Sequence, residues 1–557
     1  MGRTRRRRRP RRLAGMSLRT LAQILTAVVV SATVAAGPAA ASDSGPPDSG
    51  PPDAGLPSSG PPDSGPPDPG VVRVDSGWLR GSVAGDHVTY SGIPYAAPPV
   101  EERRWRPPVR PRPWQGVRDA TTPSPYCPQR GSAGVVGQED CLYLDVTVPR
   151  DVGRGERLPV LVWLHGGGFT GGGAREYDGA RLATGGDVVV VTVNYRLGAL
   201  GFLSAPVLDA AGGNYGLMDQ AEALRWVRRN AARFGGDPGN VTLAGQSGGA
   251  RSVCAQLASP DARGLFHRAI VQSGACDNPV PTLAEAQAFG ERATTELGCA
   301  GAADVAGCLR DVAPERLAGA LAGVGTDVIA RVADRPWNPV AGTPALPRQP
   351  ADALRDGSAA RVPLLVGTTR DEMRAFVVGE TMTADDYRTL LADAFSDEAP
   401  AVLAEYPLGD GDDPAVALAT VLGDWGGWIG ACPVLRTADA AAVHQPVYAY
   451  EFAEDSRQVE DGFPMGSYHG LELPYLWDLD MAWDPYPPLT PGQERLSATM
   501  IDYWTAFAHA GDPNGPGRAP WPEFGATGTV LGLSTTGVAP TPFAADHRCD
   551  LWSALPR

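Results

Sequence analysis

Gly245-Gln246-Ser247-Gly248-Gly249 fits the G-x-S-x-G pattern of a nucleophile elbow, a sharp turn between a strand and a helix that presents a serine hydroxyl. The flanks suit it. Val241 to Ala244 reads as a short buried strand, and the Ala- and Ser-rich segment Gly249 to Ser259 reads as a helix start. With 69 glycines in 557 residues the motif alone is weak, so Ser247 needs partners before it can be read as a nucleophile.

The wider chain has the pattern of a strand-helix alternation. Leu158 to Leu164 and Val188 to Asn194 are dense in Val and Leu, as strands covered on both faces are. Between them and the elbow, Ala221, Leu224, Val227 and Ala231 recur at helical spacing within Met218 to Phe234, and Gly235-Gly236 stops that helix. Further buried strands are expected at Arg268 to Gln272, Val362 to Thr368 and Val447 to Phe452. The alternation predicts an α/β fold with a largely parallel sheet.

Composition narrows the function. The hydrophobic share of 43% and charged share of 20% are those of a globular protein. The first 41 residues hold nine Arg and no acid, so removing them takes the formal charge from −15 to −24. Such an acidic chain is opposed to binding nucleic acid through phosphates. There is no lysine, which excludes a lysine Schiff base and a P-loop phosphate clamp.

Arg3 to Arg12, the apolar run Leu21 to Ala36 and the small residues Ala39-Ala40-Ala41 have the pattern of a signal peptide spanning 1–41, with Met16 an alternative start. The run is shorter than the roughly 20 residues needed to span a bilayer, and no later segment is long and apolar enough, so no membrane span is expected after signal removal. Residues 42–70 repeat a unit such as Asp43-Ser44-Gly45-Pro46-Pro47, which reads as an extended linker. Residues 71–557 read as one large catalytic domain.

A serine hydroxyl becomes a nucleophile when a histidine takes its proton and a carboxylate orients the histidine. In α/β-hydrolases these follow in the order serine, acid, histidine, and an upstream HGGG loop helps bind the oxyanion. His165-Gly166-Gly167-Gly168-Phe169 directly follows the strand ending at Leu164. Gly166, Gly168 and Gly171 also satisfy G-x-G-x-x-G, but Asp187 precedes the strand it should end, which argues against a dinucleotide site. Among the histidines, His469 stands in the glycine-flanked turn Gly466-Ser467-Tyr468-His469-Gly470, where a side chain is presented. His444, His509 and His547 suit structural roles.

These residues resemble the type-B carboxylesterase and cholinesterase family, over roughly 71–557. The similarity includes Gly92-Ile93-Pro94-Tyr95-Ala96-Ala97-Pro98-Pro99, Glu139-Asp140-Cys141-Leu142-Tyr143-Leu144, Asn214-Tyr215-Gly216-Leu217-Met218-Asp219-Gln220 and Phe507-Ala508-His509-Ala510-Gly511-Asp512-Pro513-Asn514. The resemblance implies an α/β-hydrolase fold, with a large, mostly parallel central sheet flanked by helices and long insertions forming an active-site gorge. It implies a catalytic triad of Ser247, Glu372 and His469, with Asp371 the alternative acid, and oxyanion donors at Gly167, Gly168 and Gly248. Glu472 is expected to be a buried structural carboxylate. The implied activity is exported carboxylic-ester hydrolysis on a small-molecule ester, with no cofactor and no metal. A catalytically silent surface-binding protein of the same fold is the alternative.

Eight cysteines allow 105 pairings. The resemblance suggests Cys127 with Cys141, Cys299 with Cys308 and Cys432 with Cys549, and leaves Cys254 and Cys276 free or joined to each other. Two departures bear on substrate. The loop between Cys127 and Cys141 has no tryptophan to hold a quaternary ammonium, and Gln246 and Gly248 stand where most of the family has Glu and Ala. The missing indole and the loss of a carboxylate at Gln246 argue against choline esters. Trp425, Trp428 and Trp477 are candidates for pocket lining or for core.

Overall fold

The computed structural model describes residues 70–150, 157–208, 212–481 and 486–555. The predicted signal peptide, and the linker except for Gly70, lie outside them. The described residues fall within one compact unit, Asp68–Arg557.

Eleven strands form the central sheet: β1 Ser82–Val83, β2 His87–Pro94, β3 Tyr143–Pro149, β4 Leu158–Leu164, β5 Val189–Val193, β6 Gly236–Gln246, β7 Arg268–Gln272, β8 Leu364–Thr369, β9 Val447–Phe452, β10 Val530–Ser534 and β11 Gly537–Thr541. Their spatial order is β11-β10-β9-β8-β7-β6-β4-β5-β3-β2-β1. The seven strands from β5 to β10 across the middle run parallel, and the pairs at either end are antiparallel. Every residue of β4, β5, β8 and β9 is buried, which is why these segments do not alternate between apolar and polar positions; Thr192, Thr368, Thr369 and Glu451 are the buried polar residues among them.

The expected strands are present, with small shifts. The strand read at Val362 to Thr368 starts at Leu364, and the short strand before the elbow is longer, Gly236–Gln246. The helix read at Met218 to Phe234 is α1, Tyr215–Asn230, continued by a 3-10 turn over Ala231–Phe234. Gly235 ends it in the left-handed conformation, φ 80°.

Two more helices place the site. α2, Gly248–Ala258, leaves the elbow and is buried at ten consecutive positions from Gly248 to Leu257. α3, Pro491–Ala510, opens with a capping box between Thr490 and Gln493 and closes on Gly511 at φ 76°. From α3 the Trp504 indole donates to Gln272 Oε1 at 2.9 Å, tying the helix to the end of β7. Among the described residues no helix is long and apolar enough to cross a membrane.

Register sets the functional end of the sheet. Gly245 faces Leu164, Gln246 faces Gln272, and Gln272 faces Gly367. The carboxyl ends of β4, β6, β7 and β8 therefore finish at one level, where an open parallel sheet collects its ligands.

Candidate active site

Ser247 sits at the tip of the β6-α2 turn with φ 57° and ψ −120°, a conformation that costs a non-glycine residue free energy and persists only when its surroundings enforce it. They do so from both sides. The Ser247 N–H donates to Gln272 O at 2.9 Å, and its carbonyl accepts from the Arg251 N–H at 3.1 Å. A Cβ at position 245 would lie 2.5 Å from the Gly249 carbonyl carbon, and one at 249 would lie 1.9 Å from Leu164 O. The two outer glycines of the motif are thus a packing requirement between the elbow and β4.

Because β4 adjoins β6, the glycine loop that follows Leu164 runs against the elbow. A Cβ at Gly166 would be 3.2 Å from Ser247 Cβ, and one at Gly248 would be 3.1 Å from Gly168 N and 3.3 Å from Phe169 N. Gly167 and Gly168 adopt φ 98° and 60°. The N–H groups of Gly167, Gly168 and Gly248 donate to no acceptor among the described residues. Three unspent backbone donors beside a serine are a ready anion site.

Glu372 follows β8 and is 1% exposed. Its Oε1 accepts from Thr368 Oγ1 at 2.5 Å and from the Thr369 N–H at 3.0 Å, and its Oε2 lies 2.5 Å from His469 Nδ1. Burial pushes this carboxyl upward, but the His469 charge and the hydrogen bonds outweigh it and hold it below its ordinary range. Asp371 instead pairs with Arg374 at 2.8 Å and accepts from the Ser467 N–H at 2.9 Å. Of the two carboxylates, Glu372 is the one that meets His469.

With Nδ1 engaged by Glu372, His469 Nε2 lies 3.3 Å from Gln246 Nε2, and Ser247 Oγ makes no hydrogen bond to the ring. Apo geometries of this kind commonly tighten only when substrate arrives. Glu472, three residues on, is fully buried, and neither carboxylate oxygen meets a donor. Burial and the nearby Glu372 charge push it up to about 7.

The four disulfides are Cys127–Cys141, Cys254–Cys276, Cys299–Cys308 and Cys432–Cys549. The three pairs that the resemblance implied are formed, and Cys254 pairs with Cys276. The tryptophans divide. Trp477 packs in the core with Trp163 and Tyr177, and Trp425 packs against Phe395. Trp428 packs against Phe376 with the ring planes inclined by 59°, and the Phe376 ring is 5.3 Å from that of His469, so Trp428 belongs to the site's wall.

His547, expected to have a structural role, is 4% exposed and bridges Asp424 Oδ1 at 2.5 Å and Glu451 Oε1 at 2.8 Å. Its partners come from a helix and a strand about 100 residues away, so no local pattern could reveal it. Among the described residues no group of three or more His, Cys, Asp or Glu is placed to hold a metal ion.

Residues 68–552 match the carboxylesterase family model. The chain belongs to that family. It is 36% identical over 489 residues to a fumonisin B1 esterase from Sphingopyxis macrogoltabida, covering 83% of this chain and 86% of the relative. It is 34% identical over 487 residues to a para-nitrobenzyl esterase from Bacillus subtilis, covering 82% and 92%. The solved structure of a PNB esterase superposes with a TM-score of 0.74 at 32% identity, covering 86% of this carboxylesterase and all of that chain. The mostly parallel sheet flanked by helices is accordingly the α/β-hydrolase fold, and the expected class of enzyme, a carboxylic ester hydrolase, stands.

Proposed function

We propose that this carboxylesterase works by a two-step acyl transfer on Ser247. Ser247 Oγ attacks the ester carbonyl while His469 Nε2 takes its proton, and His469 returns that proton to the departing alcohol. Water then repeats the sequence on the acyl-enzyme. Glu372 holds the ring with its proton on Nδ1 and stabilises the imidazolium that forms. The N–H groups of Gly167, Gly168 and Gly248 receive the oxyanion, an interaction for which each donor is worth about 3 kcal/mol in the transition state.

The observation that carries this reading is the convergence, at the carboxyl ends of the central strands, of a strained serine, three unspent backbone donors and the buried Glu372–His469 pair. Ser247→Ala tests it with purified protein and 4-nitrophenyl butyrate. The expected result is loss of kcat by roughly 10⁴-fold or more, with an unchanged thermal unfolding curve. Unchanged hydrolysis would remove Ser247 from the mechanism.

We further propose that the enzyme is exported. Four disulfides suit an oxidising compartment, and the sequence of 1–41 supplies the signal. Amino-terminal sequencing of the secreted protein, expected to begin near Ser42, checks it. Choline esters are disfavoured as substrates by Gln246 and by the absence of an indole between Cys127 and Cys141.

A further inference from the structure

Arg251 lies one helical turn past Ser247 on α2, and its side chain is 3% exposed. Its Nη2 donates to the carbonyl of Trp428 at 3.2 Å, while its Nε is buried without an acceptor. The guanidinium of Arg335 lies over the Trp428 ring, 3.7 Å from the centroid, and its Nε is likewise buried and unaccepted. The Trp428 indole N–H is a third buried donor with no partner. Both guanidinium groups lie against one ring, 3.7 Å and 6.0 Å from its centroid, and the third donor is that ring's own N–H; Phe376 links the ring to His469, with centroid separations of 4.4 Å and 5.3 Å.

No carboxylate of the described residues lies within ion-pair distance of either arginine. The contrast within the fold is sharp. Arg104 is paired with Glu139, and Arg196 is held by Asp219 at 2.7 Å. Around the Trp428 cluster, only Asp327 and Asp334 bear on Arg335, at longer range. Both are exposed, and Asp334 is committed to the N–H of Arg331. Burial, then the charge of Arg335, lowers Arg251 to about 9, and burial lowers Arg335 to about 10. Both remain cations at neutral pH. A buried cation and a half-buried one that repel each other are costly unless an anion joins them, and a planar guanidinium is suited to a carboxylate.

We propose that Arg251, Arg335 and the Trp428 indole N–H form a carboxylate subsite beside the catalytic centre, and that the substrates of this enzyme are esters carrying a carboxylate a few bonds from the scissile carbonyl. The inference rests on Ser247 chemistry for its kinetic arm, but not for its binding arm. The subsite would hold the substrate's anionic end while the ester carbonyl lies at Ser247, so the charge contributes to orientation as well as to binding.

Two matched substrate pairs test it, each comparing a free carboxylate with its methyl ester. They are 4-nitrophenyl hydrogen glutarate against methyl 4-nitrophenyl glutarate, and the butyrate ester of glycolate against that of methyl glycolate. In at least one pair the wild-type enzyme should favour the acid by roughly tenfold or more in kcat/KM. That ratio should fall to one or below in Arg335→Gln and in Arg251→Met. The half-buried Arg335 keeps the test alive if the Arg251 variant does not fold. Independently of catalysis, calorimetric titration of the Ser247→Ala protein with glutarate should show one saturable site, lost in the Ser247→Ala, Arg335→Gln double variant. Preference for the neutral ester in both pairs, an unmoved ratio in Arg335→Gln, or no glutarate binding would overturn the proposal. Persisting hydrolysis by Ser247→Ala alone would instead sink the assignment of Ser247 and leave the binding result to judge the subsite.

Discussion

Gln246 Nε2 lies 3.3 Å from His469 Nε2, so the residue before the nucleophile puts a neutral amide against the ring nitrogen that would receive the serine proton. An anion at this point would favour the imidazolium, whereas an amide adds no charge.

Gln246→Glu is therefore expected to move the pH–rate profile for neutral esters toward higher pH, because the added carboxylate keeps the ring protonated further up the scale. The same change should raise kcat/KM for cationic esters relative to neutral ones of equal acyl length. A profile of kcat/KM from pH 5 to 9 measures the first effect. An unmoved profile would show that residue 246 does not communicate with the base.

His547 supplies a stability prediction remote from the chemistry. Burial alone would lower it, but hydrogen bonds and charges from Asp424 and Glu451 raise it to about 9. A histidine raised in the folded state contributes stability fully present below its unfolded value near 6.5, and loses that contribution as pH rises through about 9. His547→Gln should destabilise the protein by about 2 kcal/mol at pH 6, since it removes the cation shared by two buried carboxylates and leaves Glu451 with Arg370 and Asp424 with Arg548 alone. At pH 10 the loss should be much smaller. Denaturant melts at the two pH values decide it.

The disulfides should differ in worth by the loops they close. Cys254–Cys276 spans 22 residues and Cys432–Cys549 spans 117. Chain entropy alone assigns about 3 kcal/mol to the first and about 5 kcal/mol to the second. The Cys432→Ala, Cys549→Ala double variant should thus melt at a lower temperature than the Cys254→Ala, Cys276→Ala variant. The reverse order would mean that packing at α2, where Cys254 follows the elbow by two turns, outweighs loop entropy.

The parts legible in the sequence are those whose signal is local. The apolar runs of β4 and β5 announced buried parallel strands, because residues covered on both faces leave no polar alternation. The Gly245 and Gly249 spacing announced the elbow, because the close approach to β4 tolerates no Cβ at either position. Glu372 and His469 are 97 residues apart, and their pairing became readable only through the wider family motifs. Arg251, Arg335 and His547 carry no such signal. An arginine on a helix face or in a loop is ordinarily solvated, and only the packing of Trp428 over one and the burial of the other reveal that no carboxylate is near. The same holds for His547, whose two acids arrive from distant elements.

The two glycines that follow Ser247 should respond unequally to one added methyl. At Gly249 the new Cβ would sit 1.9 Å from Leu164 O, a backbone atom of a central strand that cannot withdraw. Gly249→Ala is expected to displace the elbow from β4, lower the melting temperature and cut kcat/KM by at least about 100-fold, as misplacement of a nucleophile by roughly an ångström does. At Gly248 the Cβ would lie 3.1 Å from Gly168 N and 3.3 Å from Phe169 N, tight contacts that a shift of a few tenths of an ångström relieves. Gly248→Ala should leave the melting temperature within about 2 °C and alter kcat less than tenfold, because the oxyanion donors move slightly while the serine stays in place. Equal losses in the two variants would mean that the glycine loop, rather than the contact with Leu164, sets the geometry of Ser247.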